Sequence, residues 1–351
     1  MSQGYPTSDP PPTIAWYRPK IPRDVRKQVL KKSNLLGFLQ AGGHLAIMAT
    51  TGTLAFLAAE AGQWLWFALA LFAHGTVCAF QINAVHELVH GTVFKTRWLN
   101  DAFARIFGFI GWNNPMHFWQ SHTEHHKYTL HHPDDGEVVL PVKPALRWGL
   151  THGIVNPKWL WQILRDLPRH VLGRWDGWQD HVLGDDNSAI RRKVTHWWRF
   201  VYAGHALILV VSLATGYWQI PILLSLTPMY GRWLFHYCNN SQHVGLVDDV
   251  PDFRLCCRTI KLDPFTQFLY WHMNYHTEHH MYASVPCYHL GKLHRAIKDD
   301  LPESKGLIGC WREVAWIYRK QQEDPDFQYY QPLPDTAHPA QLGDKPRPEA
   351  A

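Results

Sequence analysis

Residues 200–231 read FVYAGHALILVVSLATGYWQIPILLSLTPMYG, and none of them is charged. Such a stretch suits the hydrocarbon of a bilayer, since about 20 apolar residues wound as a helix cross ~30 Å. Gly216 and Trp218 divide it, so it reads as a hairpin of two spans, about Phe200–Tyr217 and Ile220–Tyr237, with Arg232 near the returning end. Arg191, Arg192, Lys193 and Arg199 stand just upstream as a cationic collar. Nearer the N-terminus, a second gap runs from Ser33 to Phe94 without Lys or Arg. It holds spans at about Leu35–Ala58 and Trp64–Ile82, joined by the short Ala59–Gln63 turn. A collar precedes it as well, from Arg18 to Lys32. Basic residues gather on the cytoplasmic side. The expected fold is therefore an all-α integral membrane protein with four transmembrane helices in two hairpins, both termini cytoplasmic.

Composition agrees. The 351 residues would make about two soluble domains on length alone, but apolar runs decide otherwise, and the negative mean hydropathy reflects only the polar segments around them. Eighteen tryptophans suit the headgroup boundary, where the ring face is apolar and the N–H is wet. A net charge of +5 raises nucleic acid as a partner. The basic residues flank the apolar runs and form no single patch, which excludes it. Six cysteines without a CxxC pair read as free thiols, not an iron–sulfur or structural zinc site.

The remaining chain is organised around these hairpins. Residues 1–17 are a polar, Pro-rich tail with no apolar core of a signal peptide. Residues 18–330 read as one domain. Within it, Ala102–Trp112 is too short to cross and Pro115 follows it, so it reads as re-entrant or interfacial. Residues 133–196 form a polar cap in which Lys158–Leu172 is an amphipathic surface helix. Leu290–Leu301 is helix-like and carries Lys292, Arg295 and Lys298, and residues 331–351 have no apolar period and read as disordered.

Three histidine blocks punctuate this plan: His86-Glu87-Leu88-Val89-His90, His122-Thr123-Glu124-His125-His126 and His276-Thr277-Glu278-His279-His280. In a helix, residues three and four apart share a face, so each HxxHH block aims three imidazoles one way. The first block is also H-E-x-x-H, a helical zinc site with Glu87 as general base, which makes a membrane zinc metalloprotease a rival. That rival leaves both HTEHH blocks without a role. The carboxylate-bridged di-iron bundle is a second rival, but it needs two Glu-x-x-His pairs and the blocks supply one, Glu87 with His90. Imidazole alone does not choose among iron, copper, nickel and zinc. Eight imidazoles exceed what one ion takes, so the count points to two ions.

An HxxxH followed by two HxxHH blocks, set after paired apolar hairpins, resembles the membrane fatty acid desaturase superfamily, from about residue 33 to about residue 300. The resemblance implies a di-iron centre in a cytoplasmic helical cap, with O2 as co-substrate. Its ligands would be His86, His90, His122, His125, His126, His276, His279 and His280. It further implies a ninth, His243, at the end of the fourth span, and Asn239 one turn earlier acting through water. Glu87, Glu124 and Glu278 are either solvated or orient ligating imidazoles.

The implied activity is oxidation of unactivated C–H bonds of a fatty acyl or similar lipid chain, foremost to a double bond. Hydroxylase or other monooxygenase and alkene-forming chemistry are the alternatives inside the superfamily. No His-Pro-Gly-Gly stretch, Gly-rich nucleotide loop or cysteine cluster is present, so electrons come from an external ferredoxin or cytochrome b5 with its reductase. Lys292, Arg295 and Lys298 either dock that donor or snorkel to lipid. The expected location is a bacterial inner membrane or the endoplasmic reticulum, with the active site cytoplasmic. Of the other histidines, His44, His74 and His205 lie inside spans, where they bond a neighbouring helix or line a cavity. His117, His131, His132, His236, His272, His289 and His294 are read as background.

Overall fold

The computed structural model describes residues 5, 7–8, 10–138, 153–184 and 188–345. Residues 139–152 and 185–187 of the expected cap, and the extreme ends of both expected tails, lie outside them. The chain is mostly helical and falls into two compact units. The first takes in residues 33–120 and 146–236, and the second residues 6–32, 121–145 and 237–351.

Among its described residues, unit one holds three helices long and apolar enough to cross a membrane: Asn34–Glu60, Trp64–Val89 and Ala189–Thr215. Ser33 caps the first, its hydroxyl accepting from Leu36 N. The chain leaves that helix through Gly62, whose φ of +67° suits a residue without Cβ. Leu54, Leu57, Leu65, Leu69, Leu207, Val210 and Leu213 all point outward, which is unfavourable in water and favourable against acyl chains. The intramembrane histidines tie helices together. His44 Nε2 lies 3.1 Å from Val77 O, His74 Nε2 2.9 Å from Leu223 O, and His205 Nε2 3.0 Å from Phe109 O.

Two boundaries differ from the sequence reading. The third apolar helix spans Ser188–Thr215, so it begins twelve residues before Phe200 and takes the cationic collar into its first turns. There Arg191 reaches Asp180 at 2.7 Å. The larger difference is the expected fourth span, Ile220–Tyr237, which is not one helix. It folds as Gln219–Leu224, a 3₁₀ turn Thr227–Met229 and Trp233–Asn240. Pro228 lacks an N–H and disfavours helix at the residue before it, and Gly231 at φ +71° packs on the Gly75–Thr76 backbone. A Cβ at Gly231 would lie 2.4 Å from Gly75 C, so this close approach requires glycine. The short Ala102–Trp112 run sits in a helix, Arg97–Ile110, that buries Leu99, Ala104 and Phe107. The surface helix runs Pro157–Leu172 and stops at Gly173, in the left-handed region.

Unit two is built from shorter helices: Phe253–Cys256, Pro264–Leu269, His276–Met281, Cys287–Ile297 and Leu307–Glu323, with Ile260–Lys261 paired in parallel to Lys305–Gly306. Leu255, Tyr270, Trp271, Leu290, Leu293, Val314 and Ile317 are buried among them. Arg254 is wholly buried, held by Asp252 at 2.7 Å and Asp300 at 2.9 Å, with Tyr17 stacked 4.0 Å beneath it. Its remaining donors reach His338 O and Pro339 O. A buried guanidinium with this many acceptors is a fully satisfied ion. All six cysteines are buried free thiols.

Candidate metal centre

In unit one, helix Gln81–Val89 buries Ala84, Val85, Glu87 and Leu88 together with His86, and His90 caps its end. The helical period brings the two imidazoles to one side, their ring centres 5.2 Å apart. Glu87 is buried and its Oε1 lies 3.0 Å from His86 Nδ1. Phe118 stands against His86 and Trp119 edge-on to His90.

Unit two assembles the other seven. Helix Pro115–Tyr128 carries His122, His125 and His126, helix His276–Met281 carries His276, His279 and His280, and His243 stands in the turn after Trp233–Asn240. Asn239 lies in the last turn of that same helix, one turn before His243. The seven form two groups.

In the first group, the ring nitrogens of His125, His243, His276 and His280 lie within 4.8 Å of one another, and all four residues are buried. His243 Nε2 approaches His276 Nε2 to 2.8 Å, and His276 Nε2 approaches His280 Nε2 to 3.1 Å. The outer nitrogens decide what those inner atoms carry. His243 Nδ1 lies 2.8 Å from Cys256 O, a pure acceptor, so it donates there and leaves a lone pair on Nε2. His125 Nδ1 lies 2.9 Å from Asp135 Oδ2 and donates likewise. Thr129 spends its proton on His125 O at 2.6 Å, so at 3.1 Å it accepts from His280 Nδ1. Three of the four imidazoles are thereby turned to present an Nε2 lone pair inward.

In the second group, His126 Nε2 lies 2.9 Å from His122 Nε2 and 3.2 Å from His279 Nε2. His122 Nδ1 is 3.1 Å from Glu137 Oε1, whose other oxygen accepts from Ser121 at 3.1 Å.

Electrostatics follow from burial and these partners. Burial pushes His243 down to about 3, and burial with the neighbouring imidazoles holds His280 well below the ordinary value. Burial pulls on His125 too, but the Asp135 carboxylate outweighs it and raises this imidazole to about 9. Without a metal ion His125 therefore stays protonated at neutral pH while His243 and His280 stay neutral. Converging lone pairs in a buried pocket repel one another unless a cation sits between them, so the donor set fits a soft or borderline metal ion.

The acids nominated from sequence fall in different places. Glu87 touches His86. Glu124 faces Lys127 at 2.7 Å on the outer side of its helix. Glu278 is wholly buried and bonds His294 and Thr259. The carboxylates that meet box-two imidazoles are Asp135 and Glu137, which the sequence reading did not single out. Asp135 also accepts from Leu130 N at 2.9 Å and Glu137 N at 3.1 Å, so the loop after box two winds around it. The signal was the acidic run Asp134-Asp135-Gly136-Glu137, about ten residues past the block and just beyond Pro133.

No curated protein matches the chain. The sequence model of the family described as fatty acid desaturase matches residues 62–311, a stretch that contains all nine candidate histidines and Asn239. With most of its length matched by that model and the three histidine blocks inside the match, the chain belongs to the fatty acid desaturase family.

Proposed function

We propose that this protein is an O2-dependent di-iron oxidase acting on unactivated C–H bonds of a fatty acyl or similar lipid chain, and that it introduces a double bond. One observation carries the reading: buried imidazoles whose outer hydrogen bonds turn their Nε2 lone pairs onto a common point. His125, His243, His276 and His280 hold one ion. His122, His126 and His279 hold the other with His86 and His90, and Asn239 acts through water. When bound, the irons activate O2 for removal of hydrogen from the acyl chain. Asp135, Glu137 and Glu87 hold the imidazole tautomers, and the buried surroundings keep bulk water from the reacting carbon.

The four-crossing topology belongs to the same proposal, with the broken return Gln219–Asn240 completing the second hairpin and the histidines on the cytoplasmic side of a multi-pass membrane protein. Discontinuous helices occur at membrane depth where neighbouring protein satisfies the backbone. Electrons come from an external ferredoxin or cytochrome b5, for which Arg295 and Lys298 on Cys287–Asp300 offer exposed charge. The zinc protease reading is weakened by Glu87. Its Oε1 meets the outer nitrogen of His86, whereas a general base has to face metal-bound water.

The test is elemental analysis of anaerobically reconstituted protein combined with acyl profiling of cells that produce it. Two irons per chain and a new double bond are expected. A new hydroxyl would move the protein to the hydroxylase branch. A single zinc with no new acyl product would overturn the reading, as would protection of residue 63 or 215 from reagent added outside the cell.

A further inference from the structure

The start of the box-one helix borders a cavity of about 430 Å³ in unit one, a size typical of small-molecule sites. Two cations line it. Arg232 lies over the Phe235 ring, 5.0 Å from its centroid, and Lys158 projects from the surface helix. Neither has a carboxylate partner among the described residues. Two amide oxygens line it as well. Gln81 is 2% exposed, and among the described residues its Oε1 has no hydrogen-bond partner, nor has the buried Oδ1 of Asn156. Folded proteins rarely leave buried acceptors unmade, and such groups call for an explanation. The indoles are already engaged. Trp112 Nε1 donates to Ser225 O at 2.8 Å, and Trp159 stands edge-on to it at 5.5 Å, forming an apolar wall.

We propose that the polar cavity receives the anionic head of the substrate, a carboxylate or phosphate carried next to a hydroxyl or amide N–H. The oxyanion pairs with Arg232 and Lys158, and the neighbouring donor satisfies Gln81 and Asn156. This deepens the oxidase reading and rests on it. Gln81 lies five residues ahead of His86 on one helix, so a head anchored there sets which carbon meets the irons, counted from the head end.

The experiment measures equilibrium binding of four probes to the purified iron-loaded full chain: palmitate, N-palmitoylglycine, palmitoyl-lysophosphatidate and hexadecanol. Charge-assisted pairing predicts that the anionic probes bind ~10–100-fold more tightly than hexadecanol. The tighter of the glycine and phosphate probes identifies the source of the oxyanion. Lys158→Met and Arg232→Met should each reduce that preference ~10-fold. Gln81→Leu should reduce it for N-palmitoylglycine and not for palmitate. Lys158 sits on an exposed helix, so its variant keeps the test alive if Arg232→Met does not fold. A wild type without anion preference overturns the proposal, and so does a preference that survives both cation variants. The oxidase reading fails by a different sign, iron-loaded wild type that yields no oxidised acyl product whatever its binding preference.

Discussion

The two imidazole groups of unit two both draw on the same pair of HTEHH blocks, yet they are held differently. Around His125, His243, His276 and His280, three outer nitrogens meet a carboxylate, a backbone carbonyl and a hydroxyl, all buried. Around His122, His126 and His279, one carboxylate, Glu137, meets an imidazole, and its side chain is partly exposed. Helical spacing aims imidazoles together in both, but orientation about the ring comes from the outer partner. Asp135 is buried where Glu137 is partly exposed, so the first group should hold its ion more tightly.

The largest test removes one ligand from each group. His279→Ala and His280→Ala should both abolish acyl oxidation. His279→Ala should keep the ion of the tighter group and lose half of the bound iron, whereas His280→Ala should lose more than half, by elemental analysis. If His280→Ala retains the more iron of the two, the ranking of the groups is wrong.

A smaller effect is expected from the outer carboxylates. Asp135→Asn should lower metal affinity or activity ~10–100-fold, as loss of an orienting partner does elsewhere. Glu137→Gln, beside solvent, should have only a few-fold effect. Metal titration of both variants decides it, and the reverse order breaks the comparison.

Protons sharpen it further. Asp135 raises His125 to about 9, so at pH 7 the metal-free group holds a proton that an incoming ion must displace. Metal affinity should rise with pH up to about 9, with about one proton released per ion taken up by this group. Calorimetry in buffers of different ionisation enthalpy counts that proton, and Asp135→Asn should shed most of it. Unchanged release in the variant would locate the proton elsewhere.

The smallest effect is expected at Glu124, whose partner is the exposed Lys127. A surface pair of this kind contributes ~0–1 kcal/mol, so Glu124→Ala should change iron content and activity less than about twofold. A larger change would give Glu124 a part in the metal centre that its outward position does not suggest.

Much of this was legible in the chain. Asn34–Glu60 and Trp64–Val89 appear where the lysine- and arginine-free gap lies, because lipid solvation of a helix is a sum over about 20 consecutive residues. The surface helix Pro157–Leu172 was legible for the same kind of reason, an apolar stripe of period 3.6. Ile220–Tyr237 is also largely apolar, but it breaks, since continuity depends on Pro228 and on the Gly231 contact with Gly75, which hydropathy does not register. Asp135 and Glu137 escaped because box two supplied its own glutamate, and sequence proximity favoured the wrong acid.

By itself, the sequence determined that apolar helices would form and that each histidine block would show several imidazoles to one side, because both follow from the helical period and from side-chain solvation. Tertiary structure alone decided which acid meets which imidazole, which ring nitrogen keeps its proton, and which cations, Arg232 and Lys158, have no carboxylate partner among the described residues. Those outcomes depend on atoms brought within about 3 Å from distant parts of the chain, a distance that neither composition nor spacing encodes.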